Sequence, residues 1–226
     1  MLLLAEDLLL LLLDDESGTT AVDTASLDLV LAGAVIVELV QLGRVQLPSA
    51  AAPLGEGALL VRDGCPTGDS VLDQGLTRVR EHPGQASAAL PLVAQQVRSQ
   101  LLDRLVARGI LRLEQGHGLD VSPSRSWPAV EVDHEAGLRK RLRDVLVAGR
   151  APLPREVALI ALLWAVDALA TVLPHAEAEE AELARLRAQA LTEGNVAGAA
   201  VRRAVTVVTR AVVTSTPSPV VIPAAS

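Results

Sequence analysis

The residues best suited to chemistry lie in one stretch, DGCPTGDSVLDQGL from Asp63 to Leu76. It sets Asp69 and Asp73 one helical turn apart, beside Cys65 and Thr67. Two such carboxylates are an opening for a hard cation, but a cation site needs more oxygen ligands than two. The structural alternative has a clear mechanism. Thr67 or Asp69 caps a helix running to about His82, while Gly64, Pro66 and Gly68 turn the chain into it. Elsewhere His82, His117, His134 and His175 are scattered without metal-ligand spacing. No Gly-x-Ser-x-Gly elbow occurs, and no Gly-rich phosphate loop leads to a Lys. These absences point to a protein that is not an enzyme, with no metal and no cofactor.

Charge supplies the other candidate surface. The net charge is −7, but residues 1 to 97 carry 4 basic and 13 acidic groups, while residues 98 to 155 carry 11 and 7. The middle of the chain is therefore a basic island. One helix there, LRKRLRDVLVAGR, carries Arg139, Lys140, Arg141 and Arg143; another, VRSQLLDRLVARG, carries Arg98, Arg104 and Arg108. Such a concentration suits an anionic partner, and it also suits a solvated face with local ion pairs.

The elements that must position these groups follow from composition. A chain of 226 residues is long enough for one large domain with a full core. Half of the residues are apolar, Phe and Tyr are absent, and Trp127 and Trp164 are the aromatics, so the core is Leu, Val and Ala. Nineteen of the twenty basic residues are Arg, which fits a bacterial, GC-rich coding bias. Cys65 stands alone, so no internal disulfide forms.

The expected fold is mainly α: a single domain of buried central helices ringed by amphipathic helices, with short β-hairpins. Helices are expected near Leu2 to Leu13, Thr24 to Leu42, Asp69 to His82, Pro91 to Arg108, Glu135 to Ala148, Pro154 to Leu173, Glu177 to Leu191 and Ala197 to Val213. Those from Leu27 to Leu42 and Val157 to Leu173 are apolar on nearly every face and form the centre, with Trp164 buried between them. GRVQL and ALLVRD form one antiparallel pair. ILRLEQGHGLDV forms another, turned by Gly116 and Gly118. The domain covers residues 1 to 213, and residues 214 to 226, rich in Pro and uncharged, form a disordered tail.

The start, MLLLAEDLLLLLLDDESG, lacks the basic region and cleavage site of an export signal, and Glu6 and Asp7 interrupt its apolar run. The run from Val157 to Leu173 is broken by Asp167 and stopped by Pro174, short of the ~20 residues a membrane span needs. Any membrane contact is expected to be peripheral, from the cytoplasm.

Four motifs in order, LLLAEDLLLLLLDDESG, LAGAVIVELVQLGRVQL, PTGDSVLDQGL and VRSQLLDRLVARGIL, resemble the Golgi phosphoprotein 3 family over roughly residues 2 to 111. The resemblance continues more loosely through the basic helix from Leu138 and the apolar helix from Val157. It implies a mainly helical domain without catalysis that attaches to membranes through phosphatidylinositol 4-phosphate, with an adaptor role. It also makes PTGDSVLD a structural loop-to-helix signature. The family's eukaryotic pocket residues, a tryptophan and three arginines, fall near Asp23 and at Ala32, Gln95 and Arg98. Of these, Arg98 keeps the family's residue type. The bilayer-dipping hairpin corresponds to EQGHGLDV, whose small apolar area at ~25 cal/mol per Å² is too little to hold a protein on a membrane alone.

The leading functional reading is thus a peripheral protein that binds phosphoinositide or other anionic headgroups through Arg98, Arg139, Lys140, Arg141 and Arg143. An interaction scaffold without lipid is the alternative. A winged-helix nucleic-acid binder also matches the order helix, ARGIL, hairpin, but the acidic chain and a wing tip lacking Arg or Lys argue against it.

Overall fold

The computed structural model describes residues 1–14, 19–47, 58–116, 124–130, 133–193 and 199–215. The tip of the expected second hairpin, His117 to Val121, and the tail beyond Ser215 lie outside the described residues. Nine α-helices occur among them: α1 (Leu4–Leu12), α2 (Thr24–Gln41), α3 (Ser70–Glu81), α4 (Ala86–Ala94), α5 (Val97–Ala107), α6 (Asp133–Leu146), α7 (Pro154–Ala165), α8 (Ala178–Glu193) and α9 (Ala199–Ser215). The mainly helical expectation holds.

α2 is the axis of the bundle. Asp23 caps it by accepting the Ala25 and Ser26 amides, and α1, α3, α4, α7 and α9 pack around it. By length and composition it could cross a membrane, but most of it is buried among those neighbours, as a core helix is. Two glycines let partners come close. A Cβ on Gly33 would stand 2.4 Å from Val208 Cγ1 of α9, and one on Gly75 of α3 would stand 2.7 Å from Val35 Cγ1 of α2.

The expected first hairpin is present. Strands β1 (Val45–Gln46) and β2 (Ala58–Val61) pair antiparallel with Val45 opposite Val61. A third strand, β3 (Gly84–Gln85), adds to the other edge of β2. In the second hairpin, β4 (Glu114–Gly116) pairs with β5 (Ser124–Ser126); the LDV segment expected to pair lies outside the described residues. Gly116 therefore belongs to a strand, not to the turn.

Two expected helices are corrected. The helix expected over Pro91 to Arg108 is two helices, α4 and α5, separated at Gln96, whose φ is 69°. Pro91 lies inside α4, where it removes one amide donor without ending the helix. The helix expected to reach Leu173 ends at Ala165, because Asp167 takes a left-handed conformation (φ 53°), and a 3₁₀ turn at Leu169–Val172 follows.

Trp164, expected to be sealed between the central helices, is only partly buried. It sits at the C-terminal end of α7, and the Arg185 guanidinium of α8 covers its ring at 5.3 Å from the centroid. A cation over an aromatic face at a partly exposed site contributes about 0.5–1 kcal/mol, less than full burial of the ring would.

The tight contact at Gly33 gives the first prediction. Gly33→Val should destabilise the protein by about 3 kcal/mol, the upper range for overpacking a tight core, as read by chemical denaturation. Adding Val208→Ala should restore part of that loss. Equal stability of parent and Gly33→Val would contradict the α2 and α9 contact.

Candidate functional site

The first turn of α1 organises the charged groups. Glu6 is the third residue of α1, and its Oε2 accepts the Leu3 amide at 2.7 Å, satisfying a donor that the helix start leaves orphaned. The carboxylate has no solvent exposure. It meets Arg104 Nε at 3.1 Å and Arg108 Nη1 at 3.3 Å, both from the C-terminal end of α5. Asp7 is also buried; it takes Arg155 Nη2 of α7 at 2.8 Å and lies 2.8 Å from His134 Nε2 of α6. Glu38 of α2 accepts the Leu4 amide at 2.7 Å and faces Arg155 at 3.6 Å. Burial pushes the Glu38 carboxyl up, and the Leu4 amide and Arg155 offset only part of that shift.

Asp73, in the first turn of α3, fastens the loop that precedes the helix. Its Oδ1 accepts the Thr67 amide at 2.6 Å and the Thr67 hydroxyl at 2.7 Å. Asp69 is the cap of α3, accepting the Val71 and Leu72 amides, and Thr67 Oγ1 accepts the Asp69 amide. Arg104 Nη1 donates to Asp69 at 2.7 Å, so one guanidinium joins the start of α1 to the start of α3. Burial alone would raise the Asp69 carboxyl. The Arg104 hydrogen bond and the two cap amides outweigh it and hold Asp69 below the usual carboxylate range.

The structure separates the five residues expected to meet a headgroup. Arg98, in the first turn of α5, faces a cleft of about 310 Å³ lined also by Asp28, Gln96, Asp103, Leu113 and Trp127. Leu113 and Trp127 flank β4 and β5, so the cleft opens at the base of that hairpin. Arg98 Nε stands 3.0 Å from Asp28 Oδ1. Burial pushes the Asp28 carboxyl up, and Arg98 lowers it only in part. The other four lie on α6, away from this cleft. Arg139 pairs with Glu135, Lys140 with Asp144 at 3.2 Å, and Arg143 with Glu180 of α8 at 3.0 Å. Arg141 is 4.0 Å from Glu156, which Arg150 already holds at 2.7 Å.

The family model for Golgi phosphoprotein 3 (GPP34) matches residues 4–208. The chain belongs to this family. No individual curated protein matches it. The four Golgi phosphoprotein 3 pocket positions now have places in the fold. Asp23 is the cap of α2, and Ala32 is fully buried, where an arginine would have no route to a headgroup. Gln95 sits between α4 and α5, and Arg98 remains at the cleft. Trp127, beside Arg98, was not singled out by the sequence because it follows β5 and comes near α5 only through the hairpin.

The structure also bears on the nucleic-acid alternative. Arg104 of α5 is directed inward to Glu6 and Asp69, so it cannot line a DNA-reading face.

The loop assignment is testable. Asp69→Ala should cost about 1–2 kcal/mol at neutral pH, from the lost cap and the lost Arg104 partner. Because the folded-state pKa lies below the unfolded one, this stability is present above the ordinary carboxylate range. It is lost as pH falls through the lowered value. The gap between parent and variant should therefore begin to close as pH falls below the ordinary Asp value of about 4 and vanish below the lowered folded-state value. A gap that stays constant as pH falls would contradict the capping role.

Proposed function

We propose that this chain is a non-catalytic peripheral membrane protein that binds anionic, phosphoinositide-like headgroups, with Arg98 as the principal contact. The observation that supports the reading is the position of Arg98. It stands at a cleft beside the β4–β5 hairpin, next to a half-buried Trp127, at a position where the Golgi phosphoprotein 3 family carries an arginine. A guanidinium can hold two phosphate oxygens at once, which an ammonium cannot match in geometry.

Asp28 is the competitor for that guanidinium. A phosphate must displace or neutralise it, and the carboxyl is already pushed toward its protonated form by burial. Protonation of Asp28 removes its negative charge and frees Arg98. Headgroup binding is therefore coupled to proton uptake, and it strengthens as pH falls through the raised pKa of Asp28. Asp103, the second carboxylate facing the cleft, opposes an anion in the same way.

Arg139, Lys140 and Arg143 have a different role. Each holds a carboxylate partner, so together they supply a salt-sensitive attraction to any anionic surface, below the ~1 kcal/mol per residue of unpaired basic groups.

Co-sedimentation with phosphatidylcholine vesicles, with and without phosphatidylinositol 4-phosphate, tests the reading at low salt. Arg98→Ala should weaken binding about tenfold, the loss of one charge-assisted contact. Asp28→Asn should strengthen binding at neutral pH and flatten its dependence on pH. Unaltered binding by Arg98→Ala, or no vesicle binding by the parent, would leave the interaction scaffold as the better account.

A further inference from the structure

A second cleft, of about 410 Å³, opens where α1, α5, α6 and α7 meet, and its walls include Asp7, Arg108, Ile110, His134, Arg141 and Arg155. We propose that this cleft is an anion site for a phosphorylated small polar group, held mainly by Arg108 and Arg141. The inference does not rest on the Arg98 cleft. Arg98 opens α5 and Arg108 closes it, ten residues and about 15 Å away along the helix axis, too far to share one phosphate.

The arrangement of charge at the cleft favours an anion. Three guanidiniums line the cleft against a single carboxylate, Asp7. Asp7 is buried and already engaged by both Arg155 and His134. Glu6, the partner of Arg108, is completely buried and is shared with Arg104. Glu6 therefore lies behind the wall and Asp7 is almost withdrawn into it, while the cations face outward: the side chains of Arg108 and Arg141 are 40% and 50% exposed. Arg141 has the weakest hold on a carboxylate, because Glu156 is 4.0 Å away and is paired more closely with Arg150. Buried carboxylates fix the direction of Arg108 and Arg155 before any ligand arrives, which lowers the ordering cost of binding. The volume exceeds that of a bare phosphate and falls within the range of small-ligand sites. Ile110 gives one apolar wall for the carbon skeleton.

The shared chemistry is a phosphate monoester, carried either on a lipid headgroup or on a free metabolite. Calorimetric titration with soluble inositol 1,4-bisphosphate tests the site in four proteins: parent, Arg98→Ala, Arg141→Gln and the double variant. Arg141 is exposed and weakly paired, so its replacement leaves the fold intact, and a melting curve verifies this. In the Arg98→Ala background, where the first cleft is disabled, the probe should still bind. Adding Arg141→Gln should weaken that binding about tenfold or more, as loss of a charge-assisted contact does. Complete loss of binding in Arg98→Ala alone would overturn the second site, as would a double variant that binds like Arg98→Ala. Loss in Arg141→Gln alone would support this site and count against the Arg98 cleft. Repeating the comparison on phosphatidylinositol 4-phosphate vesicles identifies the source. A parallel loss on vesicles assigns a lipid headgroup, and a loss confined to the soluble probe assigns a free metabolite.

Discussion

Two neighbouring carboxylates, Glu6 and Asp7, are buried in the first turn of a helix that is otherwise apolar, and the arrangement of four other helices follows from their need for partners. An uncompensated buried charge costs several kcal/mol, so each acid must be met by cations and amide donors. Arg104 and Arg108 bring the end of α5 to α1, Arg155 brings the start of α7, and His134 brings the start of α6. Arg104 continues to Asp69 and so also places α3 and the loop before it. The apolar core explains why the chain collapses. The buried acids explain why these helix ends converge on one point.

That commitment divides the arginines. Arg104 and Arg155 each contact two carboxylates, and their side chains are largely withdrawn from solvent. They serve the fold. Arg98, Arg108 and Arg141 stand at the edges of two clefts, with one carboxylate each: the partners of Arg108 and Arg141 are buried and shared with another arginine, and Asp28, the partner of Arg98, is half-buried. They are the cations that the two proposed anion sites use. The remaining basic residues of α6 are paired locally along or across their own surface, so the basic island is less uniform than a count of charges suggests.

Local signals were legible in the sequence, and long-range pairing was not. The apolar run from Leu27 to Leu42, the cap at Asp69 and the pairing of Val45 with Val61 each follow from residues close together or from a clear period. Glu6 and Asp7 read only as interruptions of a leucine run, because their partners are as far as 102 and 148 positions away. The same limit hid the neutralisation of the basic island. Arg143 finds Glu180 on α8, and no spacing rule predicts that contact. Trp164 was misplaced for a related reason: an all-apolar helix does not reveal which of its faces reaches the edge of the bundle, and here Arg185 marks that edge. Arg98 was found through family resemblance. The position of Trp127 and the opposing charge of Asp28 needed the fold.

Arginine-specific modification with phenylglyoxal, mapped by mass spectrometry with and without phosphatidylinositol 4-phosphate vesicles, tests this division most directly. The account predicts that Arg104 and Arg155 react slowly in both conditions. Arg98 should react in free protein and be protected by the vesicles. Fast modification of Arg104 and Arg155, or protection confined to Arg139 and Arg143 with Arg98 unchanged, would contradict it.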